Sequence, residues 1–113
     1  MSKPTELLAQ TPLRSQTSPL QAALTLAASF PGLAATALDV RGGHLMVHLH
    51  LADVAAFDEW VESLRLSVET PLQYEHLGLM RETWTATGAW AEVPLTVKAY
   101  PAWPVAALVE AAA

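Results

Sequence analysis

Histidine is the one side chain whose unperturbed titration falls near neutral pH, and three of the four in this sequence, His44, His48 and His50, crowd into one short segment. His48-Leu49-His50 is a His-x-His pair. On an extended strand both imidazoles project from the same face with Cβ atoms about 7 Å apart. That spacing lets two ring nitrogens share one divalent ion of the Zn, Ni or Fe type. His44 lies about 13–14 Å from His48 along such a strand, outside the same coordination shell. A third ligand would have to come from Asp39, His76 or a second chain. The simpler alternative is that the histidines are polar residues of a surface or a subunit interface, with Asp39 placed for a hydrogen bond to His44 or His48.

Other catalytic chemistry has little support. Ser63 and Ser67 lack a Gly-rich elbow, and neither a G-x-S-x-G nor a P-loop pattern occurs. Carboxylate-pair chemistry would need two facing acids in a cleft, and Glu75 and Glu82 are candidates only because nothing in the sequence excludes them. No cysteine is present, which removes thiolate nucleophiles and Cys-ligated zinc. The chain therefore reads as more suited to binding than to catalysis, with no resident cofactor expected unless a metal sits on the His pair.

The histidines need a strand to hold them. Leu45, Val47 and Leu49 alternate with His44, Met46, His48 and His50, so one face belongs to a core. A preceding strand, Ala35–Arg41, is joined to His44–Leu51 by Gly42-Gly43, a two-residue loop that suits a tight hairpin. The loop sets Arg41 opposite His44, Val40 opposite Leu45, Asp39 opposite Met46 and Leu38 opposite Val47. A second hairpin turning at Ala91-Glu92 sets Trp90 against Val93, Gly88 against Leu95, Ala86 against Val97 and Trp84 against Ala99. Its other face carries Thr85, Thr96, Lys98 and Tyr100. Gly88 and Ala86 would leave room for neighbouring rings, and Pro94 points to an edge strand or to one paired only weakly at that position.

Two helices cover the core face. Ser18-Pro19 signals an N-terminus, Leu20, Ala23, Leu24 and Ala27 follow at helical spacing, and Pro31-Gly32 ends the helix. Asp53 caps a second helix running to about Arg65, with Val54, Phe57, Val61 and Leu64 as its stripe and Trp60 beside it. Residues 66–80 are the least regular, and Leu72–Leu79 suggests a strand bent near Gly78. Residues 1–17 read as a flexible leader and 18–113 as a single domain with a short C-terminal helix or tail over Val105–Ala113. The expected fold is α+β: two helices on one face of an antiparallel sheet of four to five strands, in the order α-β-β-α-(β)-β-β.

Composition narrows the partners. With 52% hydrophobic residues and 15% charged, the chain should be compact. A net charge of −5 and only six scattered Lys and Arg argue against nucleic acid. No apolar run reaches a membrane span, and a cytoplasmic location is the default. The absence of Ile and Asn points to a GC-rich genome. Trp103, between Pro101 and Pro104, either closes the core edge or anchors a partner.

Two resemblances carry these readings further. The stretch from Thr83-Trp84 through Trp90-Ala91-Glu92-Val93-Pro94-Leu95 resembles a C-terminal hairpin of short actinomycete and phage α+β proteins, and implies no activity. From His44 onward, the order β-α-β-β-β is similar to one module of the vicinal oxygen chelate superfamily. That likeness implies a divalent metal on the concave sheet face near His48 or His50, although a Glu ligand and a second module are missing.

Both readings leave the sheet face as the surface to test. The expected role is a small non-catalytic interaction or regulatory module that forms a homo-oligomer, most simply a homodimer, or binds another protein. Its contact surface comprises Asp39, His44, Met46, His48, Thr85, Lys98, Tyr100 and Trp103. The alternative is a metal protein or enzyme built on His48 and His50.

Overall fold

A computed structural model of the chain describes residues 12–50 and 54–101. The Asp53 cap, Trp103 and the C-terminal helix lie outside these residues. A 3-10 turn, Leu13–Gln16, leads into helix α1, Thr17–Ser29. Strands β1, Ala37–Arg41, and β2, His44–His50, follow, and then helix α2, Val54–Leu64. The remainder is β3, Ser67–Val68; β4, Leu72–His76; β5, Leu79–Trp90; and β6, Val93–Tyr100. The class is α+β.

Helix α1 starts one residue before the Ser18 cap read from the sequence, and its N-cap position, Gln16, makes no side-chain capping bond. Pro19 falls instead in the first turn, where its missing N–H has no intrahelical partner to lose. The Gly42-Gly43 turn takes φ of 53° and 82°, the two positive values a primed hairpin turn requires. Both hairpins keep the register expected from their loops: Asp39 faces Met46, and Trp84 faces Ala99.

Two expectations about the sheet are corrected. It has six strands, and it is mixed: β2 runs parallel to β6, with Leu45 beside Leu95 and His50 beside Tyr100. The strand order is β1-β2-β6-β5-β3, with β4 also paired to β5. Helix α2 carries the chain back across the sheet, so the β5–β6 hairpin returns with β6 aligned to β2. β6 is thus central and not an edge, and of the two readings of Pro94 the weakly paired position is the one that fits. Pro94 pairs only with Ala89, and the β2 ladder begins one residue later at Leu95, so its missing N–H removes no bond to β2. Gly78, likewise, is no bend within one strand. It turns β4 into β5, with His76 opposite Leu79.

The core lies between the sheet and the two helices. Leu45, Val47, Leu49, Leu95, Val97 and Ala99 are buried from the sheet side, and Ala22, Leu26, Phe57 and Trp60 from the helices. Three tryptophans tie these layers together, each with its indole N–H satisfied. Trp60 donates to the Ala34 carbonyl at 2.7 Å, Trp90 to Thr25 Oγ1 at 2.9 Å, and Trp84 to Glu82. Such pairing is what an indole buried in apolar surroundings needs. The space over Gly88 is filled by Leu66 rather than by a ring: a Cβ there would lie 2.6 Å from Leu66 Cδ2.

Candidate functional site

The face of the sheet away from the helices carries the expected residues, and most of their polar groups are already paired. His44 Nε2 lies 2.8 Å from Thr96 Oγ1, and His48 Nδ1 lies 3.2 Å from the Tyr100 hydroxyl. Asp39 makes no contact of this kind with a histidine; it pairs with Arg41 at 3.0 Å. The reason is local: Arg41 sits two residues along the same face and reaches the carboxylate, whereas His44 turns to β6. Lys98 is the cross-strand neighbour of both His48 and Thr85, and Met46 is opposite Thr96.

Beside these pairs, His48, His50 and Tyr100 form a cluster of rings. Their centroids are separated by 6.1 Å for His48 and His50, 5.9 Å for His48 and Tyr100, and 4.9 Å for His50 and Tyr100. The parallel pairing of β2 and β6 puts them together, since His50 and Tyr100 stand directly abreast. Burial raises the Tyr100 phenol pKa above its usual range, and Tyr74 adds to the shift. Neither Asp39 nor His76 completes a metal shell: among the described residues no three His, Asp or Glu side chains come together as one.

The structure adds a feature that the sequence reading left unresolved. β4 and the outer half of β5 form a two-stranded arm, Leu72–Thr83, beyond the part of β5 that pairs with β6. Every residue from Leu72 to Met80 is exposed. Five are large and apolar or aromatic, with Leu72, Leu77 and Met80 at 65%, 84% and 49% exposure beside Tyr74 and Leu79. At the tip, Leu77 takes φ 53°, a left-handed conformation that costs an L-residue with a bulky side chain about 1–2 kcal/mol. The clue in the sequence was Leu77-Gly78 between two alternating runs.

The opposite margin of the sheet carries an apolar groove. Leu26, Ala27 and Phe30 of α1 and its end, with Leu33, Leu38 and Trp60, line a cavity of about 220 Å³. The Trp60 N–H is committed to Ala34, so that wall offers no free donor. Glu75 and Glu82 sit on the arm, Glu82 accepting from Trp84 and Gln73, and form no facing acid pair in a cleft. Among the described residues no helix is long and apolar enough to cross a membrane. No protein-family model matches the chain, and no curated protein is significantly similar to it.

Proposed function

We propose that this chain is a non-catalytic interaction module that associates with a second copy of itself, the arm of one copy seated in the apolar groove of the other. The observation that carries the reading is Leu77. It breaks two local rules at once, a bulky side chain in a left-handed turn and an apolar one left in water. Strain and exposure of that kind persist where a contact repays them. The open sheet face continues into the arm on the Tyr74 side, but its own hydrogen bonds are largely satisfied internally, so the arm is the surface still lacking a partner.

Three features favour a second copy as that partner. An isolated two-stranded hairpin is marginal in water and gains from packing on another surface. The matching concavity is present on the same chain, and its volume admits a leucine side chain with room to spare. Finally, β1 and β4 are on opposite margins of the sheet, so a chain does not fill its own groove, while two copies can exchange arms and close.

Complementation tests this. Leu77→Ser removes the knob, and Ala27→Phe fills the groove from an exposed helix position. Each variant alone should be monomeric. An equimolar mixture should form a heterodimer, because one wild-type arm still meets one wild-type groove. Dimers in both separate variants, or none in the mixture together with a dimeric wild type, would overturn the arm-in-groove arrangement.

A further inference from the structure

We infer that His48 and His50 form a binding site for one borderline divalent ion, Cu²⁺ above all, with Tyr100 as the residue that positions His48. This is independent of the arm. The two rings stand on one face of β2 with centroids 6.1 Å apart. Two imidazoles on a common ion, each at about 2.0–2.1 Å from the metal, have centroids roughly 5 Å apart, so a small side-chain rotation closes the gap.

Tyr100 supplies what a bare surface pair lacks. Its hydroxyl lies 3.2 Å from His48 Nδ1 and its ring stacks on His48 with an interplanar angle of 13°. With the tyrosine oxygen as acceptor, the proton stays on Nδ1 and the Nε2 lone pair is left for the ion. Outer partners of this type orient metal-binding histidines and strengthen their grip. Tyr100 itself is held by the parallel β2–β6 pairing, so the ring is placed by the fold. His44 lies four residues from His48 on the same strand, about 13 Å away, too far to share that ion.

The surroundings select the ion. Ca²⁺ and Mg²⁺ prefer oxygen donors, and no carboxylate joins these two rings among the described residues. Lys98, abreast of His48, adds a cation beside the bound ion. Only an ion with strong nitrogen affinity outweighs that repulsion, and Cu²⁺ stands at the head of the divalent order. Two imidazoles leave the remaining positions to water.

Titration of the untagged full chain with Cu²⁺, followed by calorimetry and electron paramagnetic resonance, tests the site. The expected result is one ion per chain with a Kd of about 10 μM or tighter, and a spectrum split by two coordinated imidazole nitrogens. Zn²⁺ should compete for the same site. His48→Ala and His50→Ala should each remove one nitrogen from the spectrum. Tyr100→Phe should weaken binding by about tenfold while keeping both nitrogens, which a purely structural tyrosine would not do. Lys98→Gln should tighten it. One nitrogen or none in the wild-type spectrum, or unchanged binding in both histidine variants, would overturn the assignment, and the spectrum reads this on native protein even where a variant folds poorly.

Discussion

Replacing Leu77 by Asn separates the stability of the single chain from its association, and the two are expected to move in opposite directions. In the isolated chain the side chain is 84% exposed, so its removal forfeits almost no buried apolar area. The backbone at φ 53° suits Asn far better than Leu, and relief of the left-handed penalty should return about 0.5–1 kcal/mol. For a domain of this size that corresponds to a Tm higher by about 2–4 °C. In the dimer each Leu77 buries its side chain, worth about 1.5–3 kcal/mol. Two reciprocal contacts give about 3–6 kcal/mol, so Kd should rise by about 10²- to 10⁴-fold. Thermal melts of dilute protein measure the first effect and sedimentation equilibrium the second. A lower Tm would mean that Leu77 packs within its own chain. An unchanged Kd would mean that the strained tip has no role in association.

Other consequences bear on the core, the second turn and the open face. Leu95 is fully enclosed in the core, and Leu95→Ala should cost about 2–5 kcal/mol, read as a lower urea midpoint with an unchanged slope. Ala91 and Glu92 both take positive φ, 51° and 65°, so the double change to Asn-Gly, the pair such a turn favours, should stabilise by about 1 kcal/mol. Because burial raises the folded-state pKa of Tyr100, the folded form retains its proton longer than the unfolded chain. Its contribution is therefore fully present below the unfolded value of about 10 and is lost as pH rises through the folded one. Alkaline melts should show that decline, and Tyr100→Phe should flatten it.

Local order was readable in the sequence at the two hairpins but not on α1, whose buried residues are Pro19, Ala22 and Leu26 while Leu20 and Leu24 of the expected stripe are exposed. Gly42-Gly43 admits one tight turn, and alternation around it then settles which face of β1 and β2 is buried. The same reasoning placed Trp84 against Ala99 across the second hairpin. Pairing between distant segments was not readable. Nothing local in Leu45–His50 says that it runs parallel to Leu95–Tyr100, and Pro94 left an edge strand and a weakly paired one undecided because its effect depends on where the neighbouring ladder begins. The candidate site divides along the same line. His48 and His50 were visible from their spacing, whereas Tyr100 as their companion required the parallel register. Asp39 was assigned to a histidine by proximity, but Arg41 is nearer in chain and opposite in charge. The arm was missed because an exposed hairpin has no buried face to stamp its alternation on the sequence, and Leu at a left-handed tip is not the residue a turn rule looks for.

The central claim is that two copies associate through arm and groove, and light scattering coupled to size exclusion, across a concentration series, tests it most directly. The wild type is expected to form a species of twice the 12.1 kDa chain mass at micromolar concentration, and Leu77→Ser to keep the single chain mass under the same conditions. A wild-type protein that keeps the mass of one chain at every concentration would contradict it.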